Sequence, residues 1–347
     1  MMPARSARCM NSNDQGSVSQ STRTLARPLP TVRHYHQPEQ ANQQGGGASM
    51  VLQRQVTLIT GASRGFGLAA AEELTARGHP VIATMRNPDR DAPNLADLDS
   101  SLVEIARCDV TDRTSIDAAV EAGLSRFGRV DALFNNAGYG LYGPVEDMSD
   151  DEVSRQMDTN FSGQIRMAQA VLPAMREQHH GKIINVSSLA GRIVAPLMGL
   201  YAASKWAVEA MSEALRYEVS RWNVDVTILE PGMYASDWQT TNLDVAAAVR
   251  EGRSPYQESA DHALKTFRTR AATRPGSRSV ATAVADIVEL EQRLPMRWPI
   301  GEDTIQTIRL REAMTDQEWE ERVRGDTKIY RGAFFRGVEN PLEDKPR

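Results

Sequence analysis

55-QVTLITGASRGFG-67 is the stretch that decides the fold: a short apolar run, then a turn holding Gly61, Gly65 and Gly67. Glycines so placed permit a tight turn, a close approach of backbone to phosphate, and close packing of a helix on a strand. A helix opening directly after the turn offers free N–H groups and its positive dipole end to a pyrophosphate. A glycine-rich turn alone is a weak signal; the strand before it and the helix after it give it weight. Thr60, Gly61, Ser63, Arg64, Gly65, Phe66 and Gly67 are therefore expected to hold a dinucleotide. The turn lacks the Gly-Lys-Ser/Thr ending of a P-loop, which argues against a nucleoside triphosphatase.

Outward from this turn, short apolar runs alternate with longer amphipathic ones. QVTLIT (55–60), PVIATM (80–85), SLVEIA (101–106), RVDALFN (129–135), KIINVS (182–187) and VDVTILE (224–230) read as strands, and RWPI (297–300) as a last one. Helical patterns fall near 67–77, 113–126, 150–178, 201–220 and 279–293, with a short charged helix at 316–325. Strands separated by helices imply a parallel sheet with right-handed crossovers: an α/β, doubly wound Rossmann fold in three layers, α/β/α. Residues 233–278 break the rhythm, with only a weak helical pattern around 256–268. A segment of that length at the carboxyl edge of the sheet reads as a substrate lid.

Composition bounds the rest. Hydrophobic content of 41% and charged content of 24% fit a soluble globular protein, and no apolar run is long enough for a membrane span. A net charge of −5 argues against a nucleic-acid partner. Two cysteines, Cys9 and Cys108, suggest a reducing compartment, so a cytoplasmic location is expected. Residues 1–49 carry five arginines against Asp14 and Glu39 and are rich in polar residues and proline. They read as a disordered tail. A targeting peptide and a true start at Met50 are the alternatives. The Rossmann-type domain is placed at 50–315 and a C-terminal extension at 316–347.

The second strand ends 83-ATMR-86, where an acidic residue would accept the ribose hydroxyls of NAD. Arg86 stands there instead, and Arg64 lies in the glycine turn. Two guanidiniums with no carboxylate between them suit a 2′-phosphate, so NADP is expected over NAD. In 201-YAASK-205, Tyr201 and Lys205 sit one helical turn apart on one face. Taken alone, that spacing is better explained by an ordinary surface helix.

Together these stretches resemble the short-chain dehydrogenase/reductase family over roughly residues 54–312, in its single-domain, NADP-preferring form. The resemblance rests on TGASRGFG, 108-CDV-110, 135-NNAG-138, 157-MDTN-160, 185-NVSS-188, YAASK and 231-PG-232, in that order. It implies that Asp109 and Val110 border the adenine, and that Asn135, Asn136, Ala137 and Gly138 close the cofactor cleft. It implies a catalytic tetrad of Asn160, Ser188, Tyr201 and Lys205, with Lys205 also on the nicotinamide ribose and Asn160 anchoring a water chain. Pro231 and Gly232 would flank the nicotinamide, and Ser236 would take a place where many relatives have threonine. The implied reaction joins NADPH and a carbonyl to NADP and an alcohol. Tyrosine has a pKa of ~10, and the lysine ammonium is expected to lower it. The family commonly forms homodimers or homotetramers through the helices carrying Asn160 and Tyr201.

Other features have plainer readings. The six histidines show no ligand spacing and read as solvated surface groups, so no metal site is expected. DMSDDE (147–152) reads as the capped start of a helix, and Cys108 as buried filler. Apolar residues in 192-RIVAPLMGL-200 either line a pocket or pack the loop. PGMYASDW, the ATMR strand end and the long lid look like the hydroxysteroid and retinol dehydrogenase-like branch, and so suggest a steroid, retinoid or other lipid-like substrate. The competing reading is a dinucleotide-binding regulator or scaffold without turnover, whose usual sign is loss of the tyrosine or lysine; both are retained here.

Overall fold

The computed structural model describes residues 54–235 and 242–325 of the 347-residue chain. The tail expected at 1–49, Ser236, and the end of the C-terminal extension lie outside the described residues.

The first strand, β1 (Thr57–Thr60), is buried at all four positions, as expected for a strand covered on both faces. The chain continues through α1 (Gly65–Ala76), β2 (Val81–Met85), the single turn α2 (Pro88–Asp91), β3 (Val103–Arg107), α3 (Arg113–Phe127) and β4 (Ala132–Asn135). After β5 (Gly140–Tyr142) come α4 (Asp150–Met157), α5 (Gly163–Gln178), β6 (Gly181–Val186), α6 (Gly199–Val219) and β7 (Val224–Pro231). The remainder is β8 (Leu243–Val245), α7 (Ala247–Arg250), α8 (Gln257–Ala272), α9 (Arg278–Glu289), β9 (Arg297–Ile300), α10 (Glu302–Glu312) and α11 (Asp316–Gly325).

Seven strands form one parallel sheet in the order β3-β2-β1-β4-β6-β7-β9. The expected doubly wound three-layer fold is therefore what the chain adopts. Strand periodicity sorts the core into two layers. Ile59, Phe134 and Ile184 pack with Ala70, Leu74, Val284 and Ile287 of α1 and α9. Their neighbours Leu58, Leu133 and Ile183 face the other way, onto Ile116, Val120, Met167 and Val171 of α3 and α5. Gly123 marks where α3 crosses β2 most closely: a Cβ there would overlap the Ile82 side chain.

Two departures from the sequence reading shape the site. The long helix expected over 150–178 is broken by a wider, π-type turn, Asp158–Ser162, between α4 and α5. The segment 233–278 is also more ordered than its sequence suggested. It contributes β8, which pairs with β5 as a small parallel sheet, and the four-turn helix α8. The capped start of α4 is as expected: Ser149 and Glu152 form a reciprocal capping box. Among the described residues, no helix is long and apolar enough to cross a membrane.

Candidate active site

Strand order reverses between β1 and β4, and there the sheet opens a crevice at its carboxyl end. Thr60, the last residue of β1, stitches the two sides together. Its Oγ1 accepts from Asn136 N and Ala137 N, each at 2.9 Å, while Asn136 Nδ2 donates to Thr60 O at 2.9 Å. Thr60 is fully buried, so it shapes the crevice without lining it. Gly61 and Gly65 have φ of +67° and +57°, values that favour glycine. Gly67 is needed for a different reason: a Cβ there would collide with the Gly61 carbonyl and lie 2.9 Å from Asn136 Nδ2. No acidic residue occupies the first turn of α1, whose N–H groups face an open cleft of about 1080 Å³.

That cleft brings together Gly61, Ser63, Arg64, Gly65 and Phe66 with Arg86, Asp109, Val110, Asn136, Ala137 and Gly138. Ser188, Tyr201, Lys205, Pro231 and Gly232 complete its far end. Asn135 does not join them: it is buried, and its Nδ2 donates to Gln164 O at 2.9 Å and Asn185 Oδ1 at 3.1 Å. The cradle therefore fits an extended dinucleotide, with the tight backbone approach and free N–H groups at one end and the candidate catalytic side chains at the other.

The sequence reading placed two arginines and no carboxylate at the second strand's end; the structure adds both a cation and an anion. Asn87 caps the one-turn helix α2 by accepting from Arg90 N at 3.3 Å, and this turn folds Arg90 and Asp91 back over the cleft. Arg90 grips both Asp91 oxygens, Nε to Oδ1 at 2.8 Å and Nη2 to Oδ2 at 2.7 Å, and Arg64 lies 3.5 Å from Oδ1. The hydrogen bonds from Arg90 hold the Asp91 carboxyl below the usual range despite burial. Asp91 is thus spoken for by guanidiniums, and Arg64, Arg86 and Arg90 keep the excess positive charge. The Asn-Pro pair at 87–88 was the available signal, an N-cap followed by a first-turn proline.

At the reactive end, Tyr201 is 9% exposed and its hydroxyl is hydrogen-bonded with Ser188. Lys205 lies one turn along α6, its Nζ 5.7 Å from the Tyr201 ring centre and donating to Val186 O at 2.9 Å. Asn160 sits in the π-type turn, fully buried behind the cleft. Its Nδ2 donates to Tyr139 O at 2.8 Å and Ser204 Oγ at 3.2 Å, and its Oδ1 accepts from Tyr139 N at 3.0 Å. Burial acts on both titratable groups in the direction that disfavours charge. It pushes the Tyr201 phenol up to about 12, outweighing the Ser188 hydrogen bond, which reverses the lowering expected from the sequence. It pushes Lys205 down to about 8, with Glu209 acting the other way.

The wall formed by the 192–200 loop, β8 and α8 is apolar apart from Asn242 and Asp244. Ile193, Ala195 and Met198 line it, whereas Val194 points outward at 49% exposure and Leu197 packs into the adjoining core, so the 192–200 loop does both jobs. Leu243 of β8 and Phe267 of α8 form the opposite wall. Tyr234, just past the Pro-Gly turn, meets Phe66 edge to face with centres 5.5 Å apart.

Cys108 is buried against Met167, and burial pushes its thiol up to about 12, in keeping with a packing role. His79 corrects the reading of surface histidines. It is 2% exposed, its Nδ1 accepts from Gln55 N at 3.1 Å, and its Nε2 faces Glu289 Oε1 at 3.1 Å. Among the described residues, no three metal-ligating side chains gather.

Comparison with known proteins agrees with this geometry. Residues 55–245 match the short chain dehydrogenase family. The chain is 38% identical over 250 residues to a 3-ketodihydrosphingosine reductase of Bacteroides thetaiotaomicron, spanning 72% of this chain and 89% of that one. A short chain dehydrogenase/reductase from Burkholderia phymatum, solved with NAD, superposes with a TM-score of 0.66 at 26% identity, over 78% of this chain and 96% of that one. A short chain dehydrogenase from Burkholderia cenocepacia, solved with NADP, superposes with a TM-score of 0.61 at 26% identity, over 78% and 98%.

Proposed function

The chain belongs to the short chain dehydrogenase family, an oxidoreductase with that family's dinucleotide-binding fold, and from this premise we propose that it is an NADP(H)-dependent enzyme interconverting a carbonyl and an alcohol on an apolar small molecule. The observation that carries the reading is the buried Tyr201 phenol, paired with Ser188 and one helical turn from Lys205, at the apolar end of a dinucleotide-sized cleft.

The glycine turn would hold the pyrophosphate, Asp109 and Val110 the adenine, and Arg64, Arg86 and Arg90 the 2′-phosphate. Lys205 would hold the nicotinamide ribose, with Pro231 and Gly232 beside the ring. When bound, NADPH supplies a hydride to the carbonyl carbon. The protein's own part is to bind, orient and protonate. Ser188 hydrogen-bonds the substrate oxygen and fixes it beside Tyr201, whose hydroxyl donates the proton as negative charge develops. With its phenol held near 12 in the cofactor-free protein, Tyr201 is protonated at neutral pH, the form that can donate a proton to a carbonyl oxygen. Asn160 holds the Tyr139 backbone and Ser204 behind the pair, so the reacting groups rest on a fixed wall.

The apolar wall of Ile193, Met198, Leu243 and Phe267 supports a lipid-like substrate, a steroid, retinoid or long-chain ketone, as does the likeness to a reductase of a sphingoid ketone. Exposed Val153 on α4 and Trp206 and Tyr217 on α6 support assembly as a homodimer or homotetramer through that face.

The test is NADPH oxidation and NADP reduction across a panel of steroid, retinoid, alkyl and sphingoid carbonyls and alcohols, with NADH alongside and Tyr201→Phe as control. Turnover that requires Tyr201 and prefers the phosphorylated cofactor is expected. Equal use of NADH would remove the role given to the arginines. Tight NADPH binding with no turnover on any member of the panel would favour a dinucleotide-binding regulator.

A further inference from the structure

Behind Lys205 the protein buries two carboxylates that the proposed reaction does not use. Glu209 stands one turn after Lys205 on α6 and is 5% exposed; Glu230, the residue before Pro231 on β7, is fully buried. Both face the Arg297 guanidinium. Arg297 Nε donates to Glu209 Oε2 at 2.9 Å and lies 3.7 Å from Glu230 Oε1. Arg192, in the loop after β6, donates to Glu230 Oε1 at 3.0 Å. Neither arginine is reserved for this pair: Arg297 also holds Glu213, further along α6, and Arg192 also holds Glu312 of α10. Glu209 Oε1 and Glu230 Oε2 are left buried with no hydrogen-bond partner among the described residues. The Ser187 hydroxyl is also buried without a partner, and it and Glu209 Oε1 both abut Gly191.

Two carboxylates buried against the Arg297 guanidinium repel, and a proton on Glu230 relieves both the repulsion and its desolvation. Burial and the charge of Glu209 together push Glu230 up to about 7, against Arg192 and Arg297. Glu209 also acts on Lys205 from the same helix face, opposing the burial that would strip the ammonium of its proton. We propose that Glu230, buried beside Glu209 with one oxygen unpartnered, carries a proton at neutral pH, and that the Glu209 carboxylate, one helical turn from Lys205, keeps that lysine an ammonium. The proposal rests on the reading of Lys205 given above. Neither glutamate touches a reacting atom; both are positioning residues that set the field at one.

The pair and the lysine form one coupled unit. The Glu209 charge stands on the lysine's own helix, one turn away, and opposes the burial that would strip its proton. The lysine thereby stays charged over a wider range than its buried setting would allow.

The experiment is NMR titration of cofactor-free protein carrying ¹³C-labelled glutamate carboxyls and lysine ε-carbons, with Lys205→Met used to assign the Lys205 signal. One glutamate carboxyl should titrate near neutral pH in the wild type and vanish in Glu230→Gln, and Lys205 should titrate at lower pH in Glu209→Gln. If every carboxyl titrates in the ordinary glutamate range, or if the Lys205 midpoint is unmoved in Glu209→Gln, the proposal fails. Should Glu230→Gln not fold, the wild-type carboxyl titration and the Glu209→Gln lysine titration decide it. Neither readout involves substrate or dinucleotide, so a negative result leaves the oxidoreductase reading standing, and absence of turnover leaves this one standing. With a substrate in hand, the alkaline limb of kcat/KM in Glu209→Gln should move to lower pH by on the order of one unit; an unmoved limb counts against the coupling.

Discussion

Asn160 clasps the backbone of Tyr139 from both sides, accepting its N–H at 3.0 Å and donating to its carbonyl at 2.8 Å. A single side-chain amide therefore does for Tyr139 what a neighbouring strand would do. Asn160→Ala strips the Tyr139 N–H of its partner, whereas the Tyr139 carbonyl keeps Gln156 Nε2 at 3.0 Å and the Ser204 hydroxyl keeps the Tyr201 carbonyl at 2.7 Å. One group so orphaned costs ~1–3 kcal/mol, so urea unfolding should show a loss of about that size. A loss within error would mean that the loop carries itself.

Tyr201→Phe removes one oxygen and changes little in volume. It should lower kcat by ~10²–10⁴ on any accepted substrate. The NADPH dissociation constant, read by fluorescence, should stay the same. Turnover surviving at wild-type rate would assign the proton to another group.

Arg64 and Arg90 meet at Asp91, and their effects should depend on which cofactor is offered. Either arginine changed to alanine should weaken NADPH about tenfold and NADH by far less. Asp91→Asn removes a negative charge yet should also weaken NADPH, because Arg90 loses both of the bonds that orient it. Tighter NADPH binding by Asp91→Asn would show that its charge matters and its grip does not.

Lys205 predicts how stability depends on pH. Its pKa is lowered in the folded protein, from 10.5 to about 8, so the folded state sheds this proton first. Below pH 8 both states hold the proton, and the folded one carries a buried ammonium at a cost. From pH 8 towards 10.5 only the unfolded chain keeps it, so this group's contribution to stability rises with pH. Cys108, pushed up to about 12, works in the opposite sense once pH passes 9. The clean quantity is the difference between wild type and Lys205→Met in urea. The mutant's advantage should be on the order of 2–3 kcal/mol at pH 7 and shrink by pH 10. A constant difference would place the lysine in a wetter setting than the structure shows.

The sheet was readable from the sequence because each strand follows a local rule: a buried apolar run, a breaker, then an amphipathic helix. The shared face of Tyr201 and Lys205 was readable for the same reason, since the two need only helical spacing to meet. What escaped was mostly non-local. NLDV at 242–245 has no strand signal strong enough to stand alone, and β8 exists because Tyr142 and Gly140 offer it a partner. The helix α10 buries only Thr304 and Ile308, so its apolar period is nearly invisible amid charged residues. Asp91 escaped because a single helical turn at α2 redirected it. The direction of the Tyr201 shift was misread because sequence shows the neighbouring lysine but not the burial that outweighs it.

The wide turn at 158–162 has a consequence for how length changes in this region would be tolerated. One surplus residue rotates everything before it by about 100° relative to everything after it. On the upstream side stands Glu152, whose Oε1 accepts from Ala247 N at 2.8 Å and so tethers the start of the segment that carries Phe267. On the downstream side α5 keeps Met167 and Val171 in the core. Deleting a residue within the turn would fuse the two helices into one regular rod and swing Glu152 off Ala247, while the core side stayed put. The turn is a phase shifter, setting the angular register between the floor of the cleft and the hinge of its cover.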